Sequence, residues 1–280
     1  MDLRGFIQSV SDEAEKNIRK EECDYIGENG LLYCGKCHTK KQTIVRMPFG
    51  EFRPYCLCKC ATEERNKRKE EEERKEFEEH IRKLRNEGFP QKEMKSWTFD
   101  IDDGTNKITD VARRYVNNFD EMRAKGKGLL LFGTVGTGKT FASACIVNAL
   151  IGKGVPCLMT NFTHLVNSIG SYFGDEKTNY IESLCKYQLI AIDDLGVERA
   201  TEYMGEQVFN IINHRYCSGL PLIVTTNLSA DELKHPKDIR SERIYSRLFE
   251  MCIPIEVKGN DRRKEKLKDD FCEYREMLGL

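Results

Sequence analysis

Nowhere in the chain does an apolar run approach the roughly 20 residues a helix needs to cross a bilayer, so no membrane span is predicted. An excess of charge of either sign is also missing: 45 Lys and Arg against 46 Asp and Glu leave a formal net charge of −1. That balance excludes a polycation held on nucleic acid by bulk charge, and any such contact must be local. The opening Met1-Asp2-Leu3-Arg4 runs into acidic residues without the apolar core of a secretory signal, which leaves the cytoplasm as the expected compartment. No internal repeat is visible.

What is present suffices for more than one small domain. A chain of 280 residues predicts two. Hydrophobic content of 39% provides a core, while 32% charged residues points to long solvated helical stretches. Twelve cysteines divide into five between Cys34 and Cys60 and seven scattered singly. The scattered ones read as small hydrophobes; the clustered ones need another explanation.

Weak helical periodicity around Phe6, Ile7 and Val10 predicts a short helix within the first 30 or so residues. A small knuckle-and-hairpin module follows, with a β-like patch at Thr43-Ile44-Val45-Arg46 and turn residues Pro48 and Gly50. Residues 62–87 carry Glu71/Lys75, Glu78/Arg82 and Glu79/Lys83 at i,i+4, with a thin stripe of Phe77, Ile81 and Leu84. This is a solvated linker helix, ended by Gly88-Phe89-Pro90. The expected organisation is therefore a metal-binding module over residues 1–61, a charged helical linker over 62–90 and a nucleotide-binding domain over 91–280. In the last, short apolar runs at 128–132, 155–160, 189–193, 220–226 and 252–257 alternate with helical patterns. Such runs belong to strands buried on both faces, so the fold class is α/β with a five-stranded parallel sheet between helices.

Gly133-Thr134-Val135-Gly136-Thr137-Gly138-Lys139-Thr140 matches the phosphate-loop pattern in full, after an apolar strand and before a helix. Its glycines let backbone N–H groups turn toward phosphates, Lys139 reaches the β and γ oxygens, and Thr140 is placed to ligand Mg²⁺. The nucleotide implied is ATP. Leu189-Ile190-Ala191-Ile192 ends in Asp193-Asp194. Asp193 is expected to hold Mg²⁺ through water, and Asp194 to orient and polarise the attacking water or simply to cap the next helix. Asn227 ends the run Leu222-Ile223-Val224-Thr225-Thr226, where it either contacts the γ-phosphate or water or serves as a turn residue.

Cys34-Gly35-Lys36-Cys37, 18 residues, then Cys56-Leu57-Cys58-Lys59-Cys60 has the spacing of a zinc site. Three downstream thiols compete for two places. Cys58 and Cys60 are favoured as nearest the linker helix, with Cys56 the alternate and His38 an outsider.

With these residues in order, the chain from about Trp97 onward resembles the AAA+ ATPases of bacterial and phage replicative-helicase loaders (DnaC/DnaI-like) and the transposition ATPase IstB. The resemblance rests on Trp97-Thr98-Phe99, on Tyr115 and Phe119 before Gly128-Leu129-Leu130-Leu131-Phe132-Gly133, on Asp193-Asp194-Leu195-Gly196, and on Glu242-Arg243-Ile244-Tyr245-Ser246-Arg247-Leu248. It implies that Arg247 is an arginine finger for a neighbouring subunit, assisted by Arg243, and that Arg263, or Arg262, touches nucleotide as a second sensor. It implies self-assembly, a DnaB-type helicase docked by the N-terminal module, and single-stranded DNA gripped by Arg199, Thr201 and Tyr203. As plain sequence, Tyr203 reads equally as a packing residue.

Overall fold

The computed structural model describes residues 21–48, 50–89, 91–102, 104–196, 202–236, 238–262, 275 and 277–279. The expected helix around Phe6, Ile7 and Val10 lies outside them. The chain divides into two compact units, residues 1–77 and 78–280.

In the first unit, β1 (Tyr25–Ile26) pairs antiparallel with β2 (Leu32–Tyr33), and β3 (Val45–Met47) with β4 (Gly50–Phe52). Tyr25 stacks on Tyr33 across the pair, with ring centroids 5.7 Å apart, and Gly30 turns the chain at φ 71°. Helix α1 (Lys59–Gly88) begins in this unit and ends in the second. Most of its surface is exposed, and only Leu84 and Gly88 are buried, at the end carrying the expected apolar stripe.

The second unit is the α/β domain. Helices α2 (Lys107–Asn117) and α3 (Phe119–Ala124) lead into β5 (Gly128–Phe132), α4 (Lys139–Gly152), β6 (Cys157–Asn161), α5 (Phe162–Gly170), α6 (Asp175–Ser183) and β7 (Leu189–Leu195). Then come α7 (Glu202–Cys217), β8 (Leu222–Thr226), α8 (Ala230–Lys234), α9 (Ile239–Met251) and β9 (Cys252–Glu256). The five strands form one parallel sheet in the order β6-β7-β8-β5-β9. After β5 the chain crosses to the far edge and works back, so the order reverses beside β5. In open α/β sheets that reversal opens the crevice where ligands bind.

Side chains alternate between the faces, as a pleated strand requires. Leu129, Leu131, Leu189, Ala191 and Ile223 pack with α2 and α4 residues such as Tyr115, Ile146 and Leu150. Leu130, Ile190, Ile192, Leu222 and Val224 pack instead with Leu165, Ile212 and Leu248 from α5, α7 and α9. Both faces are therefore covered, which is why the strands read as continuous apolar runs. The start of β8 is later than the predicted 220 because Pro221 has no N–H to give a ladder. Buried Arg215 ties this end of the sheet together, donating to the carbonyls of Tyr187, Gln188 and Pro221, and burial pulls its pKa down to about 10.

The chain's one tryptophan, Trp97, packs against the first of these clusters and so reports its integrity. Leu131→Ala empties a fully buried position and is expected to cost about 2–5 kcal/mol. Urea unfolding followed by Trp97 fluorescence measures that loss.

Candidate nucleotide site and thiol cluster

The loop from Gly133 to Thr140 sits between β5 and α4, where the strand must turn sharply into the helix. Gly136 takes φ 80°, and a Cβ there would lie 2.0 Å from Asp261 Oδ1, so no larger residue fits without displacement. The helix opens on Gly138, whose φ of 91° brings no side-chain cap to the first turn. The helix dipole at that turn favours an anion. Lys139 is buried, and its Nζ donates to the carbonyls of Gly133 (2.8 Å) and Thr134 (2.7 Å).

The acid pair lies at the end of β7, two places from β5 in the sheet. Thr140 Oγ1 donates to Asp193 Oδ1 at 2.9 Å, and Thr225 Oγ1 donates to the same oxygen at 2.5 Å. Burial raises the Asp193 carboxyl above the ordinary range; these hydroxyls and Lys139 oppose the shift, while Asp194 adds to it. Asp194 is exposed, adopts φ 57°, and accepts from Asn227 Nδ2 at 3.4 Å. The structure therefore brings Lys139, Thr140, Asp193, Asp194 and Asn227 together. An oxygen set of this kind suits a hard cation such as Mg²⁺.

One partner of the loop, Asn106, escaped the sequence reading, while a second, Arg262, is the alternate for the second sensor. Asn106 caps α2 by accepting from Ile108 N–H and donates from its Nδ2 to the Thr137 carbonyl at 2.6 Å. Its capping role was legible as an Asn before a helical run; its bond to a loop 31 residues away was not. Arg262 donates its backbone N–H to the Gly136 carbonyl at 3.1 Å and its guanidinium to the Thr105 hydroxyl. A cleft of ≈ 970 Å³ lies alongside, lined by Asn106, Ile108, Val111, Thr137, Val257 and Arg262 among others. That is large enough for a nucleoside, within the usual range of small-molecule sites.

Arg247 lies elsewhere. On α9, its guanidinium carbon is 4.5 Å from the centroid of Phe209 and 5.8 Å from that of Tyr216, both on α7, with Arg243 also over Phe209. Arg263, Arg199 and Thr201 are outside the described residues. Tyr203 is 43% exposed, with Lys177 Nζ 5.7 Å from its ring centroid. Phe173, 79% exposed, follows Tyr172, which stacks on Tyr180.

In the first unit, the sulfurs of Cys34, Cys37, Cys58 and Cys60 all lie within 4.8 Å of one another. Four sulfurs about 2.3 Å from a tetrahedral zinc stand about 3.8 Å apart, so the set fits that ion. The tight knuckle depends on Gly35, where a Cβ would meet the Cys23 carbonyl at 2.0 Å. The backbone amide of Cys37 leads in lowering the Cys34 thiol, and the Thr39 hydroxyl leads in lowering Cys37 to about 5, both toward thiolate. Cys56 stands apart, its Sγ donating to the Lys40 carbonyl at 3.5 Å, and His38 Nδ1 pairs with the Tyr25 hydroxyl. Of the three competing downstream thiols, the geometry groups Cys58 and Cys60 with the knuckle.

A phosphate loop joined through Thr140 to an acidic strand end, at the order reversal of a parallel sheet, defines a P-loop nucleotide-binding domain of the AAA+ type. The chain belongs to the IstB-like ATP-binding protein family, whose family model matches residues 62–269. It is 29% identical over 170 residues to the replicative helicase loader DnaI of Bacillus subtilis, covering 56% of this chain and 52% of that protein. It is 26% identical over 140 residues to the replicative helicase loader DnaC of Escherichia coli, covering 49% and 55%. The chain thus spans about half the length of the curated relatives it matches. A crystal structure of the DnaC helicase loader superposes with a TM-score of 0.52 at 25% identity, over 60% of this chain and 100% of the other. No described helix is long and apolar enough to cross a membrane.

Elemental analysis of purified protein is expected to find about one zinc per chain in wild type and in Cys56→Ser, one ion per four-thiolate site. Cys34→Ser and Cys58→Ser are expected to fall well below that ratio.

Proposed function

We propose that this protein is an ATPase that loads a DnaB-type replicative helicase onto single-stranded DNA when replication begins. The observation that supports it most is the bond from Thr140 to Asp193, which joins the phosphate loop to the acid pair, in a chain whose relatives bear the name replicative helicase loader.

In this reading Lys139 exchanges the carbonyls of Gly133 and Thr134 for phosphate oxygens, while the N–H groups of the loop, Gly133 through Thr140, hold the rest. Thr140 and Asp193 are the residues that hold Mg²⁺, which when bound neutralises charge on the phosphates. Asp194 orients a water and accepts its proton as the terminal phosphoryl group passes to that water, giving ADP and phosphate. Asn227 keeps the Asp194 carboxylate turned to the site. Arg263 touches the nucleotide from the C-terminal side, a part for which Arg262 is the alternate. Arg247, held away from the loop by the α7 aromatics, serves a neighbouring subunit with Arg243 beside it, so that turnover depends on assembly.

In the same reading the chain has three parts. Residues 1–61, folded around zinc, dock the helicase; residues 62–90 link; residues 91–280 bind ATP and self-assemble. Arg199, Thr201 and Tyr203 grip single-stranded DNA, with Lys177 adding a positive charge beside the exposed aromatic face of Tyr203. Stacking on such a face tolerates any base. A second reading follows from the family itself: an IstB-like transposition ATPase that assembles on duplex DNA and activates a transposase.

Lys139→Ala and Asp194→Asn are each expected to lower ATP turnover at least 100-fold, the scale of losing a group that acts on the transferring phosphoryl. Mixing Lys139→Ala with Arg247→Ala is expected to restore part of it, because each supplies what the other lacks; a mixture as inactive as its components counts against the finger in trans. Co-purification with the host helicase separates the two functions. Retention that survives Lys139→Ala but is lost in Cys34→Ser/Cys37→Ser supports the loader, whereas no retention together with ATP-driven assembly on duplex DNA supports the transposition ATPase.

A further inference from the structure

The pairing of β7 with β8 slips by one residue at the acid pair. Ile192 is opposite Val224 and Leu195 opposite Thr226, so Asp193 and Asp194 together face one residue, Thr225. An inserted residue of this kind is left without a ladder partner for its backbone. Here the Asp194 N–H donates to Thr225 Oγ1 at 3.0 Å, and the Thr225 hydroxyl uses its single hydrogen to donate to Asp193 Oδ1. On the far side of the slip, Thr226 Oγ1 donates to the Leu195 carbonyl at 2.7 Å. Both threonines are buried, at 1% and 0% exposure, so water does not compete for these bonds.

We propose that Thr225 is a positioning residue for the hydrolytic site: its one hydroxyl fixes the Asp193 carboxylate and the Asp194 backbone together. A hydroxyl has one proton and can accept as well as donate. With that hydrogen directed to Asp193, the hydroxyl oxygen is the acceptor for Asp194, and the two acids cannot move independently. The clamp also accounts for Asp194 holding φ 57°, a left-handed conformation uncommon for a residue with a side chain and kept where neighbours enforce it. The β-branch of Thr225 restricts its χ1 and so aims the hydroxyl. The hydroxyl of Thr225 bonds to the two acids and acts through them. The inference rests on the ATPase reading for its consequence and on hydrogen-bond geometry for its substance.

The experiment compares Thr225→Val, which keeps the shape and removes the hydroxyl, with Thr225→Ser, which keeps the hydroxyl. Three quantities are read on the full chain: affinity for a fluorescent ATP analogue, kcat for ATP, and exchange of the Asp194 amide proton by NMR. Thr225→Val is expected to lower kcat roughly 10- to 100-fold, the scale of one hydrogen bond to a charged group. Its analogue affinity is expected to stay within about threefold, because the phosphate loop is untouched, and Asp194 exchange to rise about tenfold or more as its bond is lost. Thr225→Ser restores most of the turnover and the protection. If Val disturbs folding, as Trp97 fluorescence would reveal, Thr225→Ala takes its place. Unchanged kcat and protection without the hydroxyl overturn the proposal, as does a serine variant as impaired as valine. A wild-type protein that does not turn over ATP sinks the ATPase reading, while amide exchange still decides the clamp.

Discussion

Everything at the nucleotide site depends on one hydrogen bond, from Thr140 to Asp193, because it joins two parts of the chain that the sheet keeps on separate strands. The loop belongs to β5 and the acids to β7, with β8 between them. For the hydroxyl to reach the carboxylate, all three strands must be parallel and end at one edge, and the register must be held along their length. Arg215 ties the opposite end, drawing the carbonyls before β7 and β8 onto one guanidinium. The buried Leu and Ile layers on both faces hold the middle. A shift of one residue anywhere in β7 would turn Asp193 to the other face of the sheet, since side chains alternate.

The phosphate loop, the acid pair and the parallel sheet were legible because each is written in contiguous residues whose context agrees: an apolar strand, then glycines, then a helix. Asn106 and Thr225 were not, since their roles arise from cross-chain adjacency that no local pattern encodes. Asn106 reads as an ordinary N-cap, and Thr225 as one more β-branched residue in a strand. The thiol cluster lies between these cases. Its spacing announced a metal site, yet three cysteines competed for two places, and only the fold separates Cys56 from Cys58 and Cys60. The short Tyr25–Ile26 and Leu32–Tyr33 pair was not legible, because two-residue strands show no alternation.

The first unit illustrates how little core a short module can gather. Among the described residues between 21 and 61 the buried hydrophobic ones are Leu31, Leu32, Cys34 and Cys58, two of them members of the thiol cluster. Burial on that scale is too small to offset the entropy of ordering some 40 residues, and a metal supplies what a core cannot. A buried ion pair, Lys41 with Asp24 at 2.5 Å, adds order, and Asp24 also accepts from the Gly35 N–H within the knuckle. Removing one partner of such a pair costs more than the pair contributes, because it leaves a charge buried alone.

The two basic residues proposed to act in hydrolysis, Lys139 and Arg247, are restrained in different ways, and the difference has a physical reading. Lys139 is buried and already bonded within its loop, so it exchanges one set of oxygens for another with little movement. Arg247 instead lies across aromatic faces on its own chain, a contact that orients a planar guanidinium while leaving its hydrogen-bond donors able to turn outward. A group meant to act within its own site gains from rigid burial. A group meant for a neighbour needs pre-orientation at a surface, since its partner oxygens arrive only with the second chain. The contrast between the two settings is what the proposed completion of the site by assembly would require.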